Sequence, residues 1–299
     1  MIGRFTPIHD PQDPRVDPYR NQKDAWLRAA HNVDSGASES GTGMTGGRFM
    51  AEGSLVVEHL LASEYQTESL LVSEHRLQSL DGLLQKVHAD IPIYTSPRSV
   101  LESIVGFDVH RGLLACGMRG QEREFIDVAR SSRALVVLEG LSNHDNIGSV
   151  FRSAAVLAGR GIGVLLSPGC CDPLYRKSLR VSMGHALTIP FATVHDWPGG
   201  LGQLRELGFD LLAMDPRPGA ELIEEIEAPA MPALVFGAEG PGLTAGVRIL
   251  IGKSVVIQQA SGVDSLNIAV AAAVALHRII RPSIDPGETD ANGQIKTQL

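Results

Sequence analysis

Six apolar runs of strand length recur in the second half of the chain: ALVVLE (134–139), IGVLL (162–166), LTIPFA (187–192), FDLLAM (209–214), ALVFG (233–237) and SVVIQQ (254–259). Their hydrophobicity is continuous rather than alternating, and helix-like stretches lie between most of them. A strand apolar on both sides must be covered on both sides, so the pattern predicts a parallel sheet between helical layers. Such sheets bind ligands in loops at the carboxyl ends of their strands, which is where the chemistry is sought.

The first half is less regular. RFMAEGSLVVEHLLAS reads as a short strand, a Gly turn and a helix, and SLLVSE, IPIYTS and GLLACGMR alternate with helix-like stretches. These make a smaller α/β domain over 48–119, and charged residues 120–132 suit a linker to a larger domain over 133–282. Upstream lies an extension, 1–47. Its segment Asp10 to Arg20, rich in Pro and Asp, cannot form a long regular element, and 32–47 has almost no side chain able to pack, so it reads as a flexible insert. A final Ala-rich helix is predicted from Leu266 to Ile280, stopped by Arg281-Pro282. The polar tail 283–299 is expected to be disordered.

Composition narrows the function classes. The 299 residues carry 26 Lys and Arg against 34 Asp and Glu, a net charge of −8. That argues against a globally basic nucleic-acid binder, so any RNA site must be a local basic patch. No apolar run follows basic residues at the start, and the longest apolar stretch, Ile268 to Leu276, is far short of the roughly 20 residues that span a bilayer. A cytoplasmic protein with no membrane contact is expected. Cys116, Cys170 and Cys171 form neither an even disulfide framework nor a Cys-x-x-Cys zinc motif, so they read as buried or incidental thiols and no metal is expected.

Three polar loops follow predicted strands. In LEGLSNHDNIGSVFRSAAVLAG (138–159) a helix is expected from about Ile147 to Leu157, capped by Asn143 or Asp145. Arg152 lies seven residues from Asp145 on one helical face, and a surface salt bridge between them is the plain alternative to a functional arginine. In ALVFGAEGPGLT (233–244), Gly237, Gly240 and Gly242 surround Glu239, and such glycines let a ligand approach the backbone. In SVVIQQASGVDSLNIAVAAAVALHRII (254–280), Asp264 or Ser265 can cap the last helix. His144 is a candidate proton carrier, with a structural loop histidine as its alternative.

Taken in order, Asn146 with Arg152, then Gly237-x-Glu239-Gly240-x-Gly242, then Ser265-Leu266-Asn267 resemble the three motifs of the TrmH/SpoU family of RNA ribose methyltransferases in the SPOUT superfamily. KSLRVSMGHALTIPF (177–191) is similar to that family's Arg-x-Ser-Met-Gly segment, and RFMAEGSLVVEHLLAS with RGLLACG looks like the small L30e-like domain preceding the catalytic domain in many members. The resemblance implies an α/β fold with a C-terminal trefoil knot, S-adenosylmethionine (SAM) as cofactor, a homodimer, and methylation of a ribose 2'-hydroxyl in RNA. It implies cofactor contacts at Gly237, Glu239, Gly240, Ile257 and Leu266, and a catalytic set of Asn146, Arg152, Glu239, Ser265 and Asn267. Arg152 is expected either as general base, demanding for a side chain whose pKa exceeds about 12, or as a bidentate phosphate clamp.

The first motif reads Asn143-His144-Asp145-Asn146 where many members have Asp-Pro-Gly-Asn. Ile257-Gln258-Gln259 stands where Ile-Pro-Met is common, so Gln258 and Gln259 are expected to alter the SAM pocket. The L30e-like half favours 23S rRNA as substrate, with tRNA as the alternative. A non-catalytic RNA-binding protein that keeps the fold is the other class. A Rossmann enzyme is disfavoured: Gly159-Arg160-Gly161-Ile162-Gly163 follows a helix and precedes a strand, the reverse of a phosphate-binding turn.

Overall fold

The structure is a computed structural model and describes residues 4–20, 47–106, 109, 111–260, 262 and 265–280. The insert at 32–46, Asp264, the Arg281-Pro282 stop and the tail 283–299 lie outside the described residues. By its contacts the chain divides into one unit of Met1–Glu122 with Asp172–Thr188, and a second of Arg123–Cys171 with Ile189–Leu299. Among the described residues the helices are, in chain order, Ser54–Ala62 (α1), Asp81–Leu84 (α2), Arg98–Val105 (α3), Phe125–Arg130 (α4), His144–Ala158 (α5), Arg176–Val181 (α6), Gly200–Glu206 (α7), Ala245–Ile251 (α8) and Ile268–Ile279 (α9).

The first unit is built on strands Phe5–Pro7 (β1), Arg48–Glu52 (β2), Thr67–Ser73 (β3), Ile93–Ser96 (β4) and Leu113–Met118 (β5), in the order β1-β4-β3-β5-β2. β1, β4 and β3 run parallel, while β5 is antiparallel to β3 and β2. β1 belongs to the extension and extends the sheet, with Phe5 opposite Ile93; three residues carry no periodicity by which to find it. The Pro- and Asp-rich segment makes only the short 3-10 helix Pro14–Tyr19, capped by Asp13, whose Val16 and Tyr19 enter the core with Ile8, Leu71, Leu101, Ile104 and Cys116. The Tyr19 hydroxyl is satisfied by Ser69 Oγ at 2.7 Å, as a buried hydroxyl requires.

The stretch 172–188, which contains most of the family-like KSLRVSMGH segment, packs with this first unit rather than the second. Asp172 pairs with Arg119 at 2.8 Å, and the His59 ring lies against His185 with centroids 4.7 Å apart. His59 closes over Gly184, where a Cβ would meet it at 2.7 Å.

The second unit holds Ala134–Leu138 (β6), Ile162–Leu166 (β7), Phe191–Thr193 (β8), Asp210–Met214 (β9), Glu221–Leu222 (β10), Pro232–Phe236 (β11) and Ser254–Val256 (β12), in the order β10-β12-β9-β11-β6-β7-β8. Every pairing in this sheet is parallel. Leu135, Val137, Ala233 and Val235 join one core layer with Val128 and Ala129 of α4, Leu201 and Leu204 of α7, and Val247 and Ile251 of α8. The intervening Val136, Leu138, Leu234 and Phe236 are equally buried. Because successive side chains alternate faces, both sides of these strands are covered, the physical reason for their unbroken hydrophobicity.

Two expectations shift. Residues 120–132, expected as a linker, contain α4, whose Val128 and Ala129 are core residues of the second unit. The run at 187–192 yields strand only from Phe191, since His185–Leu187 is a 3-10 turn and Pro190 lacks a backbone donor.

Candidate active site

With all seven strands parallel, the loops after β6, β9, β11 and β12 emerge at one edge of the sheet. The first carries α5, which begins at His144 rather than near Ile147. Asn143 stays extended and its Oδ1 accepts from Asp145 N at 2.8 Å, so a capped turn precedes the first apolar residue. Of the two proposed caps, Asn143 is the one used. Asn146 is thereby drawn inside, 5% exposed, while Arg152, six residues on, is exposed. No hydrogen bond or ion pair joins Arg152 to Asp145 among the described residues, so the surface salt bridge is not the reason for this arginine.

After β11 the chain makes a tight loop in which Gly242 N donates to Ala238 O at 2.9 Å and Gly240 and Gly242 take φ of +83° and +67°. A Cβ on Gly237 would lie 2.1 Å from the Gly242 carbonyl carbon, so no other residue fits without moving backbone. The far end of the loop is clamped by Glu139, 6% exposed. Its Oε2 accepts from Thr244 N, and its Oε1 from Thr244 Oγ1 and Trp197 Nε1, at 2.8 to 2.9 Å. Glu139 carries no local signal in the sequence, because its partners lie about 60 and 105 residues away.

The third loop leads from β12 to α9. The helix starts at Ile268, two residues later than expected, and its cap is neither Asp264 nor Ser265 but Asn267, whose Oδ1 accepts from Ala269 N at 2.9 Å. That bond fixes which end of the amide is which. Asn267 Nδ2 then faces back and donates to Asn146 Oδ1 at 3.1 Å and to Glu239 Oε1 at 3.0 Å. Asn146 is oriented in turn, its own Nδ2 buried with no hydrogen-bond partner among the described residues. A buried donor held in place without an acceptor costs about 1–3 kcal/mol.

Beside this cluster is a cavity of about 500 Å³ whose lining includes Gly237, Glu239, Gly240, Ile257, Gln259, Ser265, Leu266 and Asn267. All five residues expected to contact the cofactor line it, as does Gln259; Gln258 is not among them. Asn146 joins the cluster through Asn267, whereas Arg152 stands outside the lining on the exposed face of α5. Met214, Asp215, Pro216 and Arg248 also line the cavity without having been foreseen. The only signal for the first three was their place at the carboxyl end of β9. A nucleoside-sized cofactor fits: the volume is in the usual range of about 300–1,000 Å³, Gly237 leaves bare backbone at the wall, and apolar Ile257 and Leu266 offer faces to a base.

Among the described residues there is no group of His, Cys, Asp and Glu able to hold a metal ion, and no helix is long and apolar enough to cross a membrane. Cys116 is buried, Cys170 and Cys171 are half-buried, and none of the three is in a disulfide.

Residues 133–277 match the SpoU rRNA methylase family. An uncharacterised tRNA/rRNA methyltransferase of Mycobacterium tuberculosis is 40% identical over 285 residues, 94% of each chain. The 23S rRNA (guanosine-2'-O-)-methyltransferase RlmB of Bordetella pertussis is 31% identical over 159 residues, 53% of this chain and 63% of its own. In three dimensions the AdoMet-bound rRNA methyltransferase of Sinorhizobium meliloti superposes with a TM-score of 0.71 at 21% identity, covering 93% of this chain and 98% of its own. The second and third motifs line one cavity, Asn146 of the first is bonded to Asn267 beside it, and a relative matches almost end to end: the chain belongs to the SpoU family of SAM-dependent RNA methyltransferases.

Proposed function

We propose that this chain methylates a ribose 2'-hydroxyl in structured RNA, with 23S rRNA as the substrate class, using SAM held in the cavity beneath the Gly237–Gly242 loop. The observation that carries the reading is the unpartnered Asn146 Nδ2, fixed by Asn267 next to that cavity. SAM, when bound, supplies an electrophilic methyl group. The chain's own contribution is placement: the backbone at Gly237 admits the cofactor, and Ile257 and Leu266 flank it. Asn146 Nδ2 donates to an oxygen of the RNA, Asn267, itself bonded to Glu239, holds that amide in register, and Ser265 offers a hydroxyl at the cavity wall. Holding the nucleophile close to its target is worth several kcal/mol in such displacements.

Arg152, exposed on α5, fits the role of phosphate clamp better than that of base, since a guanidinium presents a planar fork of donors that matches a phosphate. α5 and α9 leave Val156, Val270 and Val274 exposed at 65%, 49% and 38%. This supports a homodimer closed over these helices, one subunit's Arg152 completing the other's site. The reading includes a trefoil knot in the second unit, a cytoplasmic setting and an L30e-like RNA-binding role for the mixed sheet of the first unit, residues 48–119. The RlmB relative supports rRNA; the M. tuberculosis relative, named for both RNAs, keeps tRNA as the second reading.

The test is a map of 2'-O-methylated riboses in rRNA and tRNA with and without the gene, restored as wild type or Arg152→Ala. One mark restored by wild type alone establishes activity and substrate. Arg152→Ala should abolish turnover and spare SAM affinity; full activity in that variant sinks its role, and no lost mark anywhere favours a non-catalytic RNA-binding protein.

A further inference from the structure

Asp215 follows β9 directly and is pinned by its backbone: its N–H donates to Val255 O at 3.1 Å and its carbonyl accepts from Arg217 N at 2.9 Å. Asp215 is among the residues that line the cavity, and its side chain is 11% exposed. Arg248, from α8, lines the same wall, with Nε 2.8 Å from Asp215 Oδ2. The two charges touch, yet neither atom makes an aligned hydrogen bond, although both are buried. A buried carboxylate oxygen and a buried Nε of a half-buried arginine, each with unused hydrogen-bonding capacity, are costly unless something completes them.

What completes them follows from their chemistry. Asp215 can only accept and Arg248 can only donate. An ammonium offers donors alone and would approach a cluster holding two cations, because Arg217 Nε also lies 4.0 Å from Asp215 Oδ2 while donating to Ser254 Oγ at 2.8 Å. A carboxylate offers acceptors alone and would face Asp215. A hydroxyl donates and accepts at once, and a vicinal pair of hydroxyls satisfies both side chains.

We propose that Asp215 and Arg248 hold the ribose hydroxyls of the cofactor and so select a nucleoside with an intact 2',3'-diol. This rests on the reading of the cavity as the SAM site. Arg217 acts through Asp215 as a positioning residue, tied to β12 by Ser254.

The experiment uses the full chain and two probes, S-adenosylhomocysteine and its 2',3'-dideoxyribose analogue, with affinities measured by calorimetry. Wild type should bind the dideoxy analogue about 10- to 100-fold more weakly, the worth of hydrogen bonds to charged groups. The double variant Asp215→Leu/Arg248→Met removes both charges together, so neither is stranded, and should bind the two probes equally. A folded double variant that keeps the wild-type preference overturns the proposal. So does a wild type that binds both probes alike, a result that needs no variant to fold. Hydrogen exchange separates this failure from that of the cavity reading. Protection by S-adenosylhomocysteine over 233–243 and 254–260 with no diol preference defeats the diol contact alone; protection elsewhere defeats both.

Discussion

Asn267 does three things with one amide: its Oδ1 caps α9, and its Nδ2 holds Asn146 and Glu239. Substitution separates them. Asn267→Ser keeps a capping oxygen but withdraws the donor, leaving buried Asn146 without its remaining partner, at a cost of about 1–3 kcal/mol. Asn267→Ala loses the cap as well, about 1 kcal/mol more. In a unit of some 150–250 residues each kcal/mol lowers the melting temperature by about 2–4 °C. Ser should therefore melt about 2–12 °C below wild type, and Ala about 2–4 °C lower still. Thermal unfolding checks the series, with hydrogen exchange at 268–271 reporting the cap separately. Methyl transfer should fall as far in Ser as in Ala, because both release Asn146, while SAM affinity changes little. A Ser variant with wild-type stability and turnover would refute the idea that this amide sets the orientation of the cluster.

Glu139→Gln puts an amide NH2 against one of three donors that now converge on the carboxylate. SAM affinity measured by calorimetry should drop roughly tenfold as the Gly-rich loop loosens; unchanged affinity would show that the clamp is idle. Gly237→Ala forces a methyl group to within 2.1 Å of backbone at Gly242. It should abolish SAM binding in a protein whose circular dichroism is unaltered, and retained binding would remove Gly237 from the site. In the first unit, burial raises the Glu68 carboxyl, but its bonds to Arg48 and Cys116 outweigh that and hold it below the ordinary 4.5. The stabilisation is thus present above that value and lost as pH falls through the lower folded one. Melting of wild type against Glu68→Gln should show a gap at pH 7, about 1 kcal/mol for a half-exposed pair, that closes in acid; a constant gap would contradict the linkage.

The parallel sheet was legible because strands covered on both faces leave unbroken apolar runs: five of the six expected strands appear within a few residues of their places. β1 and β10, three and two residues long, are held by pairing with distant partners and carry no pattern. The cap at Asn267 was misplaced for a related reason. Asp264, Ser265 and Asn267 are all good capping residues, and only the three-dimensional demand that Asn267 also reach Asn146 and Glu239 decides among them. Gly237, Ile257 and Leu266, which the family resemblance singled out, line one cavity. Asp215 and Arg248 were not singled out, because an ion pair 33 residues apart has no spacing to recognise. Burial likewise removes Cys116 from chemistry, pushing its thiol far above the usual range, a fate its sequence neighbours only hint at.

The two best-marked catalytic candidates are in opposite surroundings. Asn146 Nδ2 is buried without a hydrogen-bond partner among the described residues, whereas Arg152 is exposed to water. An exposed guanidinium gains little from a phosphate while water competes; the same contact strengthens several-fold once a bound macromolecule excludes solvent and lowers the effective dielectric. On the proposed reading, RNA therefore supplies more than the nucleophile. Its ribose oxygen satisfies Asn146, its phosphate engages Arg152, and its bulk dries the space between them. Truncating the RNA around the target nucleotide should then lower kcat as well as raise KM, since binding energy from distant contacts is spent on assembling the site. A trinucleotide methylated with the kcat of the full substrate would mean that Arg152 and Asn146 are already competent without it.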